Sequence, residues 1–341
     1  MAKVSTLLLS AATLAYLKLA PPHLQAPLVD VLSKYSPIAP STIFNLASIY
    51  AAFRLCAGLL SNINAYYSRK VQNNWVEDTY DWNKEVVLLT GASSGLGEKM
   101  AIQLAEKGVQ VIAMDVNPLN EATSKYSNIH FYKCDIGDFS QLSTVASEIR
   151  TAHGAPTVLI LNAAIANLSP LLKVPLAKSQ KLIDVNLTSC IAMMHEFLPS
   201  MIEKNHGHVL FVASMCSYLS IAGLTDYSAS KAGMLGLYEA LRVELRHVYK
   251  APKVRMSIVH PTWMRTNIVE FNKVETDGSI REQRRLFWPL DKSAKKVVDA
   301  VMSGYGGRVI VPDAPILRAM LGLRLWPIWA QEGFRDYVRL H

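Results

Sequence analysis

The segment VVLLTGASSGLG, Val86–Gly97, decides the fold of this chain. It begins with a short apolar run, Val86–Leu89, which has the length and composition of a buried strand. The run leads directly into a glycine-rich turn, and apolar residues at helical spacing follow from Leu96 to Lys107. A strand, a glycine-rich turn and a helix in this order are typical of a parallel sheet that holds a phosphate group at the turn.

Six further apolar runs follow and alternate with helical segments. They are Val109–Met114, Ile129–Cys134, Val158–Leu161, His208–Val212, Arg255–Val259 and Arg308–Val311. Strands that alternate with helices form parallel sheets covered on both faces. The sequence therefore predicts an α/β domain over residues 85–312, with a doubly wound, seven-stranded parallel sheet.

The N-terminal part of the chain is unusually apolar. The 341 residues are 50% hydrophobic and 18% charged, with a mean hydropathy of +0.17, which excludes a disordered chain. Val4–Ala20 carries a single charge, on Lys18, and Ser41–Leu60 is long enough to cross a bilayer as a helix. Residues 1–65 are therefore predicted to be a hydrophobic, membrane-associating region.

Several arrangements of this N-terminal region remain open. An uncleaved anchor or hairpin is favoured over a signal peptide, because no clear small-residue cleavage site follows the first apolar run. A soluble helical extension packed on the main domain is the alternative. Residues 66–84 are predicted to form a linker. Residues 313–341 are rich in Leu and Trp and are predicted to form an amphipathic tail on a membrane or a lid over the substrate site.

Charge and cysteine content exclude several classes of function. The net charge is +8, but the densest basic cluster (Arg281, Arg284 and Arg285) is interrupted by acids and lacks the basic and aromatic pattern of nucleic-acid proteins. It is predicted to be a solvated helical face, with a basic rim beside anionic lipid or a dinucleotide phosphate as the alternative, and no nucleic acid is expected as a partner. The four cysteines form no CxxC pair, so no metal site is predicted.

The glycine-rich turn and the end of the second strand together predict a dinucleotide site. In the turn TGASSGLG, Thr90–Gly97, the glycines allow the main chain to approach a pyrophosphate at the start of the helix. Asp115 ends the second strand, where a carboxylate accepts hydrogen bonds from the adenosine ribose and repels a 2′-phosphate. Ser93 and Ser94, just before Gly95, are neutral. NAD is therefore predicted to be preferred, and NADP is not excluded.

Three polar residues near the fifth strand predict proton-transfer chemistry. Ser214 follows the strand, Tyr227 comes 13 residues later, and Lys231 lies four residues beyond the tyrosine in YSASK. At this spacing the tyrosine and the lysine share one face of a helix. A nearby ammonium stabilises a phenolate and is predicted to lower the pKa of Tyr227, as a general acid–base requires.

With these motifs, residues 84–312 resemble a short-chain dehydrogenase/reductase with a Rossmann-type sheet. LNAA (Leu161–Ala164) and HPTWMRT (from His260) resemble two further family segments, with Ala164 and Thr262 replacing glycines. The resemblance implies the catalytic residues Asn186, Ser214, Tyr227 and Lys231. It implies cofactor contacts from Thr90, Gly91, Ser93, Ser94, Gly95, Leu96, Gly97, Asp115, Asp135, Ile136, Asn162, Ala163, Ala164, Tyr227, Lys231, Pro261, Met264 and Thr266.

The resemblance also implies a role for each catalytic residue. Ser214 would bind the substrate oxygen and Tyr227 would exchange a proton with it. Lys231 would hold the nicotinamide ribose and lower the tyrosine pKa, and Asn186 would fix a water in a proton relay. The substrate loop is predicted at Thr262–Leu290, which contains Phe271, Phe287 and Trp288.

An apolar anchor before such a domain resembles the membrane-bound retinol and 17β-hydroxysteroid dehydrogenase branch of the family. The expected enzyme interconverts a lipophilic alcohol and its ketone or aldehyde, at the endoplasmic reticulum or lipid droplets, as a possible homodimer. The alternatives are a tailoring reductase of a secondary metabolite and a non-catalytic dinucleotide-binding protein at a lipid surface. Asn167 and Asn186 are formal glycosylation acceptors. Because a glycan on Asn186 would block the predicted site, the domain is expected to face the cytosol.

Overall fold

The computed structural model describes residues 4–264 and 288–337. The chain forms two compact units, Met1–Gln72 and Asn73–His341. The first unit is mostly helical over its described residues, and the second unit contains the sheet.

Three helices make up the N-terminal unit: α1 (Val4–Leu19), α2 (Pro22–Tyr35) and α3 (Pro40–Gln72). α1 packs against α3, and the Lys18 ammonium donates to the Asn45 side chain (3.4 Å). α3 is long and apolar enough to cross a membrane, whereas α1 and α2, which are bent by 97° at their junction, qualify only as a pair. Only 17% of the apolar stretch of α3 is buried. The low burial of α3 is thus consistent with membrane association, since a helix in the core of a soluble protein would be mostly buried.

Seven parallel strands form the sheet of the second unit. They are β1 (Val86–Thr90), β2 (Gln110–Asp115), β3 (Ile129–Lys133), β4 (Val158–Leu161), β5 (His208–Val212), β6 (Arg255–Pro261) and β7 (Gly307–Val311). Their order is β3-β2-β1-β4-β5-β6-β7, which confirms the predicted Rossmann-type fold. The strand order reverses between β1 and β4, and a crevice at the carboxyl ends of the strands is expected at such a point.

The helices of this unit connect the strands. They are α4 (Gly95–Ala105), α5 (Glu121–Ser124), α6 (Phe139–His153), α7 (Leu176–Ile183), α8 (Ser189–Lys204), α9 (Thr225–His247), α10 (Leu290–Met302), α11 (Pro315–Met320) and α12 (Ile328–Tyr337). Leu88 of β1 lies in one apolar cluster with Phe197 of α8. Leu89, which points to the other face, lies in a second cluster with Met100 of α4 and Val297 of α10. Burial on both faces explains why the strand is apolar throughout.

Residues 66–84, predicted as a linker, are partly helical and partly irregular. α3 includes the first seven of them, and the others form turns and irregular structure. At the amino end of β6, the buried guanidinium of Arg255 donates to the main-chain carbonyl of Asn73 (3.0 Å). The stacked rings of Tyr80 and Trp82 pack on the core that contains Leu89. The later part of this segment therefore packs at the amino ends of the strands, opposite their carboxyl ends.

The C-terminal tail has one buried and one exposed apolar side. Met320 and Leu323 are buried, whereas Leu325 and Trp329 are 90% and 78% exposed. The buried side is suited to the predicted lid, and the exposed side is suited to the predicted membrane-contacting segment.

Candidate active site

Glycine is required at three positions of the turn between β1 and α4. Gly91 and Gly95 have φ angles of +68° and +57°, which strain residues with a side chain. A Cβ atom on Gly97 would lie 1.9 Å from the carbonyl oxygen of Gly91. Ser94, the N-cap of α4, makes no side-chain capping bond. The first N–H groups of α4 therefore retain the capacity to bind an anion at the helix N-terminus.

The structure brings the predicted LNAA segment against this turn. The Thr90 hydroxyl oxygen accepts hydrogen bonds from the N–H groups of Asn162 (3.0 Å) and Ala163 (3.1 Å). The Asn162 side chain donates to the carbonyls of Thr90 (2.9 Å) and Gly91 (3.1 Å). The carboxyl ends of β1 and β4 are thus tied together, and Ala164 follows in the same loop.

Asp115 lies beside the glycine-rich turn, at the end of β2. Its carboxylate accepts from the N–H of Ser93 and from the N–H of Asn117, both at 2.9 Å. The Ser93 hydroxyl in turn donates to the Asn117 carbonyl (2.6 Å). Since each carboxylate oxygen has two acceptor sites, Asp115 orders this corner and still has the capacity to accept from a ribose hydroxyl.

Asp135 follows β3 and has a partner that sequence reasoning missed. Its carboxylate accepts from the Lys181 ammonium of α7 (2.7 Å) and from the N–H of Gly137 (2.9 Å). Ile136 is buried in the core. Lys181 lies 46 residues away along the chain, and no motif links it to Asp135, so only the folded structure reveals this pair.

Ser214, Tyr227 and Lys231 meet at the carboxyl end of β5. Ser214 follows the strand, and the other two lie one turn apart on α9. The Lys231 ammonium is 5.6 Å from the centre of the Tyr227 ring and donates to the Val212 carbonyl (2.9 Å). Tyr227 lies beside Ser214, whose hydroxyl opposes the effect of burial on the tyrosine pKa. The structure thus brings Ser214, Tyr227 and Lys231 together at one end of the sheet.

Burial changes the acidity of this group in a direction that the sequence did not predict. Burial raises the pKa of Tyr227 and outweighs the opposing effect of the Ser214 hydroxyl. Burial also lowers the pKa of Lys231 to about 8. The prediction that the lysine lowers the tyrosine pKa is therefore not met in this structure, because spacing reveals proximity but not burial. At neutral pH the tyrosine is a protonated phenol, which is a proton donor.

Asn186 lies in a π-helical turn, Asp184–Thr188, just before α8. π-helical turns are rare overall, and many of them lie at functional sites. The buried Asn186 side chain pairs with the main chain of Ile165 and donates to the Ser230 hydroxyl (3.1 Å). Its amide thus holds the loop after β4.

The predicted nicotinamide segment is described only in part. Pro261 ends β6, the N–H of Thr262 donates to the Val311 carbonyl (2.9 Å), and Met264 forms a bridge with Trp288. Several predicted residues lie outside the described residues: Thr266, Phe271, Arg281, Arg284, Arg285 and Phe287.

An apolar cluster surrounds one side of Tyr227; we call it the active-site apolar cluster. Its buried members are Met215, Cys216, Leu219, Ile221, Leu224, Ile310, Met320 and Leu323, and the residues packed against them are Ala166, Leu168, Tyr227, Trp263, Leu317, Leu321, Trp326 and Phe334. The C-terminal tail supplies a large share of these side chains. The tail therefore contributes to the wall of the site.

The residues around the glycine-rich turn fit a nicotinamide dinucleotide. A Cβ at Gly97 would fill the space against the turn, the N-terminus of α4 is uncapped by its serine, and Asp115 stands at the ribose position expected for this fold. When bound, such a cofactor accepts or donates a hydride. Ser214 and Tyr227 are the groups of this chain that would hold the substrate oxygen and move its proton.

Comparison with known proteins identifies the family of this chain. Residues 85–276 match the short chain dehydrogenase family, and the chain belongs to that family. Dehydrogenase RED2 of Cochliobolus heterostrophus is 37% identical over 228 residues, which cover 65% of this chain and 83% of that protein. Epidermal retinol dehydrogenase 2 of Mus musculus is 32% identical over 227 residues, which cover 64% and 71%.

Solved structures show the same fold. A short-chain dehydrogenase from Streptomyces avermitilis aligns with a TM-score of 0.61 at 22% identity, over 76% of this chain and 98% of that one. The protein is an NAD(P)-dependent oxidoreductase that acts on CH–OH groups and is related to retinol dehydrogenases.

Proposed function

We propose that the protein oxidises a lipophilic primary or secondary alcohol, or reduces the corresponding aldehyde or ketone, with Tyr227 as the group that exchanges the proton. The observation that carries this proposal is the position of Tyr227, which contacts Ser214 on one side and the active-site apolar cluster on the other. An apolar wall beside a proton donor favours a substrate whose carbon skeleton is hydrophobic. The relationship to proteins named retinol dehydrogenases supports the same class of substrate.

We assign the four roles as follows. Ser214 and Tyr227 bind the substrate oxygen, and Lys231 binds the cofactor ribose, since its ammonium lies against the tyrosine ring and is buried. Asn186 maintains the loop that carries Ala163 and Ala164. Asn186 would also bind the water of the predicted proton relay.

NAD is the proposed cofactor. Asp115 places a negative charge at the end of β2, and its contact with the N–H of Ser93 keeps that charge beside the turn. A 2′-phosphate would be repelled there. The neutral side chains of Ser93 and Ser94 offer no cation to offset the repulsion.

The domain is proposed to work at a membrane or lipid-droplet surface, on the cytosolic side. α3 supplies a candidate membrane span, and the exposed Leu325 and Trp329 of the tail are suited to an interface. Both glycosylation acceptors serve the fold: Asn186 is fully buried, and the Asn167 amide bonds to Asp226 (2.6 Å). A glycan added to either nitrogen during synthesis would remove these contacts, which favours a compartment without glycosylation.

A substrate screen on the full chain in detergent tests the proposal. Retinol, a steroid alcohol, a long-chain fatty alcohol and ethanol are compared, with NAD and NADP followed separately. We expect turnover of at least one lipophilic alcohol and none of ethanol. Tyr227→Phe is expected to lose about 10²-fold or more in kcat while it still binds NADH. Activity on ethanol alone, or full activity of Tyr227→Phe, contradicts the proposal.

A further inference from the structure

Asp226, the residue before Tyr227, makes three hydrogen bonds with groups from different parts of the fold. Its carboxylate accepts from the Asn167 amide (2.6 Å), the Ser179 hydroxyl (2.9 Å) and the N–H of Tyr227 (2.8 Å). Asn167 belongs to the loop after β4, and Ser179 belongs to α7. Asp226 is only 9% exposed, so these contacts are shielded from water.

The start of α9 explains why a carboxylate is needed at this position. The first N–H groups of a helix have no partner within the helix and are usually capped by a side chain at the N-cap. The N-cap of α9 is Leu224, which makes no such bond. Asp226 instead caps the N–H of the residue that carries the phenol, and its negative charge is favourable at a helix N-terminus.

The main chain of Tyr227 is held on its other side as well. Its carbonyl accepts from the Ser230 hydroxyl (2.7 Å), and Ser230 accepts from the Asn186 amide (3.1 Å). Asn186 in turn pairs with Ile165. Both polar groups of the tyrosine main chain are thus linked through side chains to one loop, residues 162–168.

That loop also forms part of the substrate side of the site. Ala166 and Leu168 pack against the active-site apolar cluster, as Tyr227 does. Asn167 lies between them and points to Asp226 instead of the cluster. A movement of this wall would therefore be transmitted through Asn167 and Asp226 to the first turn of α9.

We infer that Asp226 is a positioning residue, which couples the wall of the substrate site at Asn167 to the location of the Tyr227 hydroxyl. The inference rests on the proposed function, in which Tyr227 exchanges the proton. Displacement of a reacting group by about 1 Å is enough to lower a rate roughly 10²-fold. Loss of the Asn167–Asp226 contact is therefore expected to reduce kcat far more than cofactor affinity.

The coupling is tested by exchanging the hydrogen-bond acceptor Asp226 and the donor Asn167. In Asp226→Asn the new amide nitrogen must face either the Asn167 amide nitrogen or the N–H of Tyr227. In both orientations two donors meet and one hydrogen bond is lost. In Asn167→Asp two carboxylates face each other. In the double variant the amide nitrogen introduced at position 226 donates to the carboxylate introduced at position 167 and to the Ser179 oxygen. The carbonyl of the same new side chain accepts from the N–H of Tyr227, so the exchange restores every hydrogen bond, with reversed polarity at the two side-chain partners.

We expect each single variant to lose about 10²-fold in kcat, measured with the lipophilic alcohol on which the wild-type chain is most active. The double variant should recover to within about tenfold of wild type. The dissociation constant for NADH should stay close to the wild-type value in all of them. Ser257→Ala removes a buried hydroxyl near the amino ends of the strands, where it contacts His208 and Gly307, and serves as the matched control. It should lower the melting temperature without a selective loss of kcat.

The outcomes separate this inference from the function on which it rests. Single variants with normal kcat, or a folded double variant without recovery, overturn the coupling. If any exchange variant fails to fold, Asn167→Ala decides the question, because it removes the wall contact and leaves the Asp226 cap in place. Normal kcat in Asn167→Ala would then overturn the inference. An active Tyr227→Phe would instead refute the proposed function.

Discussion

The Asn186 side chain pairs with both main-chain polar groups of Ile165: its oxygen accepts from the N–H (2.8 Å) and its nitrogen donates to the carbonyl (2.9 Å). Asn186 itself is fully buried. The contact ties the π-helical turn before α8 to the loop after β4, and thus joins two segments separated by 21 residues along the chain.

Asn186→Asp should disturb this pair, because its second oxygen would face the Ile165 carbonyl in place of the donor. A buried polar group without a partner costs about 1–3 kcal/mol, and the loop that carries Ala163 should shift. We expect a lower melting temperature and a roughly 10²-fold loss of kcat. Asn128→Asp is the control, since Asn128 also donates to two carbonyls, those of Ala105 and Val109. The control should lower the melting temperature and leave kcat unchanged. Equal losses of kcat in both variants would contradict a role of Asn186 in the site.

Gly97→Ala should abolish tight cofactor binding. The added Cβ would lie 1.9 Å from the Gly91 carbonyl oxygen, so the turn must open where the pyrophosphate is expected. The affinity for NADH, followed by fluorescence, should fall by about tenfold or more. Gly236→Ala on α9 is the matched control, because nothing lies within 4 Å of its Cβ, and it should bind NADH as wild type does. Unchanged affinity in Gly97→Ala would refute the proposed site.

Asp115→Ser should shift the cofactor preference toward NADP. The substitution removes the negative charge at the end of β2 but leaves a hydroxyl near the N–H of Ser93. The ratio of kcat/KM with NADP to that with NAD is expected to rise by about tenfold or more. Asp299→Ser, which removes an equal charge paired with Lys295 on α10, should leave the ratio unchanged. If the two variants behave alike, Asp115 does not select the cofactor.

Lys231 should make the stability of the ligand-free protein rise with pH. Burial lowers the pKa of Lys231 from its ordinary value of 10.5 to about 8. Between these values the folded chain has released a proton that the unfolded chain still holds, so the free energy of unfolding increases as the pH rises. The full difference corresponds to about 3 kcal/mol.

Chemical denaturation of the full chain in detergent, from about pH 7 to about pH 10, measures this effect. Lys231→Met has no titrating group at this position and should lack the increase. Parallel pH profiles of wild type and Lys231→Met would show that the ammonium is not buried as described.

Much of the fold was predictable because its signals are local. All seven apolar runs became strands, since a parallel strand buried on both faces must be apolar throughout, and that pattern is visible in a few residues. The Tyr227–Lys231 pair was predictable for the same reason, because a helix brings residues four apart onto one face.

The remaining features depend on contacts between distant segments. The Lys181–Asp135 ion pair and the Asp226–Asn167 bond join residues 46 and 59 positions apart, and no spacing rule identifies them. The hydrogen bonds from Arg255 to the carbonyls of Asn73 and Val76 were likewise not predictable, because residues 66–84 are polar enough to be a linker.

The sequence by itself determined the parallel sheet, the glycine-rich turn, the tyrosine and lysine on one helix face, and an apolar N-terminal region. Only the tertiary structure decided how acidic the tyrosine is and what holds it in place. Burial, which raises the pKa of Tyr227, is a property of everything packed around a side chain. The hydrogen bonds of Asp226 and Asn186 form only once strands, loops and helices have assembled, because their partners are brought together by the whole sheet.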